Sequence, residues 1–406
     1  MKIKNLRFLH LLAILILLAL HTNTYAQSQS QPGIPYFTFG KGLGITSPDS
    51  LFKLNIRFRI QNRLAMETAS TSDLNIDEIE ARVRRLRLRY DGFFYDPRLT
   101  YVIQLSFSSG DIGGVEPGRA PNILRDAMIY YRWNKYLTIG LGQTKLPGNR
   151  QRVNSSGDLQ LVDRSLLNAT FNIDRDFGIQ AIYRINPNSS NPWILKGAIS
   201  SGEGRNWVST SNNGLSYTSR LEFFPLGGFT SGGAYFEGDI LWEDDPKIML
   251  GLVGNYNSKI QRAGGQLGND LYEERSLGHV MADLMFKYMG WAVQMEYIHR
   301  YSNDPITLSA DGSDIRYIYA GEGINLQTSK YFPSTWEVVG RFTMVNPQDI
   351  IRPYEALQRQ YTIGLNKYLR GHRLKLQSDF SLLDSELQGG ESNRNFALRF
   401  QIELGI

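Results

Sequence analysis

The side chains best equipped for chemistry are arginines set on a two-residue beat. Arg57 and Arg59 stand at alternate positions, and so do Arg85, Arg87 and Arg89 a short way along. A guanidinium stays charged at any relevant pH and presents a planar fork of donors that matches the oxygens of carboxylates and phosphates. Alternate residues of a strand share a face, so on neighbouring strands these five form one cationic wall. Such a wall concentrates anions in a narrow aqueous passage, as charged rings do in ion channels. Any one arginine is equally readable as the partner of a nearby carboxylate; the cluster points to anions. Lys145, Arg150, Arg152 and Arg164 supply further cations in and beside one long stretch, 146–174, which also holds the neutral donors Ser155 and Ser156. Asp158 and Asp163 temper its charge.

Other chemistry is thinly represented. The chain of 406 residues has no cysteine, which excludes disulfides, thiol catalysis and cysteine-bound zinc. Five histidines leave little for a metal centre, and neither metal nor cofactor is expected. His279 and His299 lack a Ser–His–Asp setting, so the chain does not read as an enzyme. Asp239, Glu243, Asp244 and Asp245 read as a solvated acidic turn. The glycines at 202, 204, 264 and 265 precede no helix and make no phosphate cradle. The formal charge of +5 includes Lys2, Lys4 and Arg7, which with the apolar run Phe8 to Leu20 and Thr24-Tyr25-Ala26 have the layout of a secretory signal peptide over 1–26. No nucleic-acid partner follows from that charge.

The elements that must carry the arginines are legible in the hydrophobic period. From Phe396 to Ile406 every even position is apolar, while Arg399, Gln401 and Glu403 take odd ones. Leu54, Ile56, Phe58 and Ile60 alternate with Asn55, Arg57, Arg59 and Gln61; Leu86, Leu88 and Tyr90 alternate with Arg85, Arg87 and Arg89. Beyond the signal no apolar run reaches the roughly 18 residues of a spanning helix. Strands of about 10 to 14 residues, one face oily and one charged, suit a tilted crossing of a bilayer. Tyr130-Tyr131-Arg132-Trp133, Trp242, Trp291, Tyr317 and Tyr319 suit its aromatic girdles. Lipid offers no partner to an unpaired backbone group, so the sheet must close on itself.

Connections alternate in length. Short turns fall at Asn134-Lys135, Met289-Gly290 and Arg370-Gly371-His372, and longer segments near 67–77, 109–122, 146–174, 203–213, 257–277, 302–312 and 384–395. This is the rhythm of an outer-membrane barrel with periplasmic turns and external loops. The reading is therefore all-β: a transmembrane antiparallel β-barrel over 51–406, preceded by a periplasmic lead-in, 27–50. The count is 16 strands, or 17 if 234–242 is admitted. Even counts are the rule, which assigns 226–246 to a long periplasmic connection. Arg84 falls out of step beside Arg85, after Glu80 and Arg82; either a bulge re-aims it into the bore or it lies above the membrane.

The chain resembles the phosphate-selective porin O and P family. The resemblance is carried by Phe52-Lys53-Leu54-Asn55-Ile56-Arg57, by Arg84-Arg85-Leu86-Arg87-Leu88 with Asp91-Gly92-Phe93, and by Gly142-Gln143-Thr144-Lys145-Leu146-Pro147. Asp163-Arg164-Ser165 and Arg175-Asp176-Phe177-Gly178 continue it. It implies a homotrimer of 16-stranded channels with a long third loop folded into the pore, here 146–174, and constriction arginines at Arg84 and Arg85. A basic residue of that loop maps near Arg152 or onto Gln151. The expectation is an outer-membrane porin passing small anions, phosphate or polyphosphate-like, by diffusion. Its partners are outer-membrane lipid and the anions themselves. The alternatives are a general or oligosaccharide porin, with Tyr130 and Tyr131 facing inward, and a structural or adhesive barrel.

Overall fold

A computed structural model describes residues 34–38, 42–113, 122–206, 212–390 and 392–406. The anticipated signal peptide lies outside the described residues. The lead-in carries a hairpin rather than irregular chain: Ile34–Thr38 (β1) pairs with Gly42–Thr46 (β2). In turn β2 pairs with the first residues of Phe52–Thr68 (β3).

Around the sheet follow Ile76–Phe94 (β4), Asp96–Ser106 (β5), Leu124–Arg132 (β6), Leu137–Lys145 (β7) and Arg175–Ile185 (β8). Next come Trp193–Ser200 (β9), Ser216–Phe223 (β10), Lys247–Arg262 (β11), Asp270–Tyr288 (β12) and Trp291–Tyr301 (β13). A detached hairpin, Ile306–Leu308 (β14) with Ile315–Tyr317 (β15), precedes Gly321–Tyr331 (β16). Trp336–Pro347 (β17), Leu357–Arg370 (β18), Leu374–Glu386 (β19) and Ser392–Gly405 (β20) complete the set. From β3 onward, leaving out β14 and β15, each strand pairs antiparallel with the next. Finally β20 pairs with β3, from Ala397↔Glu67 to Gly405↔Arg59. The result is a closed barrel of 16 strands. Closure removes every free edge between β3 and β20, as a bilayer requires.

Side-chain parity follows the sequence. Leu250, Leu252, Ile363, Leu398, Phe400 and Ile402 are exposed on the outer wall, whereas Asn255, Thr362, Gln377, Gln401 and Glu403 are buried inside. Apolar out and polar in is the inverse of a water-soluble barrel and the pattern of one immersed in lipid. Several strands outrun the anticipated length. β3 has 17 residues, β4 and β12 have 19 each; with β11 they absorb most of the segment read as a loop at 257–277 and the ends of the one at 67–77. The Met289-Gly290 turn has φ of 49° and 81°, the two positive values that a tight two-residue hairpin needs. Residues 234–242 form no strand. Positive φ at Gly238 and Trp242 breaks any extended run there.

One apolar core lies on the inner side of the wall. Leu146, Leu167, Phe171 and Ile173, all in the 146–174 segment, are buried against Ala198, Val253, Met281, Ile298 and Val345. The latter five lie on β9, β11, β12, β13 and β17, where the inner face is oily instead of wet. Each Leu, Ile or Phe so buried contributes about 1.5–3 kcal/mol, enough to hold a long connection to one arc of the wall.

Candidate functional site

The arginine wall forms as the two-residue beat requires. Across β3 and β4, Arg57 lies opposite Arg89, Arg59 opposite Arg87, Gln61 opposite Arg85 and Arg63 opposite Arg82. Like charges directly across a sheet are destabilising, so these contacts persist only with compensation. The register slips by one residue between Gln61 and Asn62, pairing Asn62 with Val83 and leaving Arg84 as a bulge. Val83 therefore faces out, at 48 % exposure, and Arg84 reaches Asp163 at 3.5 Å. Of the two alternatives for Arg84, the bulge is the one adopted.

A cavity of about 570 Å³ opens beside this wall. Among the described residues twelve basic side chains and four acidic ones line it. It brings together Arg84, Arg85, Arg87, Lys145, Arg152 and Arg164. Arg57 and Arg89 lie elsewhere, both held by Asp91. Arg59 binds Ser155 at 3.3 Å and Ser156 at 2.6 Å, with Glu403 at 3.5 Å. Arg150 is fully buried away from the cavity. Its Nε donates to Asp283 at 3.0 Å and its Nη1 to the Ala234 carbonyl at 3.0 Å, while Arg220 grips the same Asp283 at 2.7 Å.

The cavity also takes in Arg63, Arg125, Arg175, Arg205 and Arg399, which the sequence reading did not single out. Arg63 continues the odd-numbered beat of Arg57 and Arg59, and Arg399 sits on the recognised wet face of β20. For Arg205, in an irregular connection, no periodic signal exists.

Three carboxylates are shared among most of these cations. Asp163 serves Arg63, Arg84 and Arg399; Asp111 serves Arg87 and Arg125; Asp174 serves Arg152 and Arg175. Burial alone would raise the Asp163 carboxyl, yet Arg63, Arg84 and Arg399 hold it down at about 2. Arg85, Lys145 and Arg164 have no carboxylate at ion-pair distance among the described residues. Arg85, 5 % exposed, donates to Gln61 at 2.6 Å. Lys145 donates to the carbonyls of Val153 and Asn154 at 3.2 and 2.9 Å. Arg164 donates to those of Gln151 and Asn154 at 2.6 and 3.0 Å. Burial, with Arg152 next in effect, lowers Arg164 to about 9, which leaves it charged at neutral pH. The Nε atoms of Arg84, Arg85, Arg125 and Arg152 are buried without a hydrogen-bond partner. The arrangement is a set of surplus cations with donors to spare.

Segment 146–174 hydrogen-bonds to this wall and to strands farther round the sheet. The Ser156 hydroxyl accepts from Arg59 and from Arg87 at 3.0 Å, and its carbonyl from Gln61 at 3.0 Å. Further on, Val162 N donates to Asp379 on β19 at 2.9 Å, and Gln160 Nε2 to Ser329 on β16 and Glu337 on β17, both at 2.6 Å. From the barrel end that carries the termini, the 224–246 connection meets it: Gln160 N donates to Glu237 at 2.9 Å and Glu237 N to the Asp158 carbonyl at 3.0 Å. Of the acidic stretch read as a solvated turn, Asp239 and Glu243 are buried while Asp244 and Asp245 are exposed, so the turn is solvated over only half of those residues.

Residues 53–237 match the sequence model described as Phosphate-selective porin O and P. The resemblance to that family holds. No curated protein sequence matches the chain at a significant level. Among solved structures, the outer-membrane channel DcaP of Acinetobacter baumannii is similar at a TM-score of 0.55 and 10 % identity, over 89 % of this chain and 99 % of that one. The anion-selective porin from Comamonas acidovorans follows at 0.54 and 11 %, over 87 % and 99 %. OprB of Pseudomonas putida stands at 0.53 and 8 %, over 87 % and 94 %. At such identities these three speak for the fold alone. The chain thus joins a match to that family's model over 53–237 to the closed, outwardly apolar 16-stranded barrel of an outer-membrane protein.

Proposed function

We propose that this porin passes small anionic solutes, phosphate and polyphosphate-like anions among them, by passive diffusion along a bore lined by arginine. The observation that carries the reading is the set of buried cations Arg85, Lys145 and Arg164, which no carboxylate neutralises. The guanidiniums of Arg85 and Arg164 keep their charge at neutral pH, so their compensation falls to a mobile anion. The staggered forks of Arg82, Arg84, Arg85 and Arg87 offer successive, overlapping sites.

Magnitudes favour passage over trapping. A unit charge 4 Å from one fork gains about 4 kcal/mol at an effective dielectric of ~20. Dehydration of the anion and the nearby Asp111, Asp163 and Asp174 offset much of that gain. Conduction requires this balance of attraction and release. In this reading the 146–174 segment narrows the bore, with Arg152 and Arg164 on its cationic side, while Arg150 anchors it and Arg59 ties down its serine turn. Three copies side by side form the assembly, a reading that rests on the family resemblance; cross-linking in native membranes checks it.

The decisive measurement is the zero-current potential of purified protein in a planar bilayer under a KCl gradient. The wild-type channel should prefer chloride over potassium. Arg85→Glu reverses one lumen charge and should lower that preference several-fold. An unchanged potential in Arg85→Glu defeats the arginine-lined reading.

A further inference from the structure

The charge around the cavity is lopsided, and that asymmetry bears on the chemistry of its occupant. This step rests on the anion reading above and sharpens it. Nine of the twelve cations come from one arc of the wall, running from β20 through β3 and β4 to β6, β7 and β8, while Arg152 and Arg164 lie in the 146–174 segment and Arg205 in the connection after β9. The uncharged lining includes Leu383 on β19 and Gln360 on β18, next to that arc, Leu267 in the β11–β12 connection, and Leu166, Asn168, Ala169 and Asn172 in and just after the short helix Leu166–Phe171. That helix packs against β13, β16 and β17, on the far side of the barrel from β4 to β7. Leu383 interrupts the polar inner face of β19, whose neighbours on that face, Gln377, Asp379 and Ser381, are all buried polar residues.

A channel tuned to bare phosphate has no use for leucines in the lining beside its cations. Apolar side chains give a fully hydrated inorganic ion nothing in return for its lost water. The volume points the same way, since cavities of about 300–1,000 Å³ enclose organic molecules of appreciable size, and this one is about 570 Å³. We propose that the cavity takes organic anions, with two negative charges at one end and an apolar body at the other, in preference to inorganic phosphate. The charged end lies on Arg84, Arg85 and Arg152, and the body lies against Leu166, Leu267 and Leu383.

The test compares phenyl phosphate with inorganic phosphate as blockers of chloride current through the purified full-length channel, at a pH where both are dianions. Phenyl phosphate should half-block at about one-tenth the concentration of phosphate, as expected for covering part of a ring against apolar side chains. In Leu383→Asn, and separately in the loop variant Leu267→Ser, the ratio of the two half-blocking concentrations should shrink to about three or less. Each ratio is taken within one variant, so a changed conductance cancels. Equal half-block by the two anions in the wild type overturns the proposal, and so does a ratio unmoved in both variants. If instead the channel shows no chloride preference and neither anion blocks, the anion reading itself fails and this inference goes with it.

Discussion

Buried carboxyl groups set how the charge of the mouth responds to pH, and two of them behave in opposite ways. Asp163, pinned at about 2 by three arginines, is ionised across the whole physiological range and adds no pH dependence there. Glu203, in the connection after β9 and two residues from the cavity-lining Arg205, is lifted to about 6. Burial is the main cause; Arg262 opposes it, and Asp176, Glu274 and Asp270 add to it. Its folded value stands above the usual 4.5, so the native state holds this proton more tightly than the unfolded chain does. Its contribution to stability is complete below about 4.5 and fades as pH rises through about 6. Neutralising an acid at the mouth leaves more net positive charge, so anion preference should rise between about pH 7.5 and pH 5. Zero-current potentials across that window check this, and Glu203→Gln should flatten the profile. No sequence pattern announced Glu203, because its shift comes from burial in an irregular connection. The beat of Arg85 and Arg87 needed only strand geometry to be read.

At the scale of elements, the 146–174 segment, an insert in the bore on the proposed reading, is tied to the wall by Arg150 as its main bolt. Arg150 and Arg220 share Asp283, with Glu222 3.6 Å from Arg150 and 2.7 Å from Arg220, all of them buried. Removing one partner of a buried ion cluster costs about 3–5 kcal/mol; here the surviving Arg220–Asp283 pair keeps the loss near the low end. Arg150→Met should therefore loosen the insert without dissolving the barrel. The expected signs are faster proteolysis within 146–174 in detergent and larger, noisier single-channel currents. Unchanged cleavage and conductance refute the bolt. Sequence spacing placed Arg150 among the anion-facing cations because it sits in the same stretch as Arg152 and Arg164. What decides its role is Asp283, far along the chain on β12, and no local pattern reports such a pairing. A clue did exist in the inner-face run Met249, Val253, Met281, Met285 and Ile298, whose oily parity on a nominally wet face marks where an insert packs. The strand count, by contrast, was readable, since closure demands an even number and 234–242 lacks strict alternation.

For the molecule as a whole, everything depends on which face of the cylinder meets lipid. A β-barrel has no interior pool of hydrophobic contacts comparable to a soluble domain, so its stability is concentrated in backbone closure and in the outer apolar band. Neighbouring positions on one strand should then answer oppositely to the same charge. Ile363, in the middle of β18 and 59 % exposed on the outer wall, adjoins Thr362, which faces inward and shares a hydrogen bond of 2.8 Å with Ser381. A lysine at 363 puts an ammonium near mid-bilayer, which costs about 2–4 kcal/mol. A lysine at 362 points to the polar inner side, forfeits one hydroxyl contact worth about 1 kcal/mol and stands across from Arg341, a like-charge pair that costs up to about 1 kcal/mol more. Reversible urea unfolding in lipid vesicles should thus show Ile363→Lys as the more destabilised of the two. The electrical readout should invert, because Thr362→Lys adds a lumen charge that strengthens chloride preference while Ile363→Lys leaves it untouched. Equal destabilisation of both variants, or a selectivity change confined to position 363, means that the wall is turned the other way and the cations of β3 and β4 do not face water.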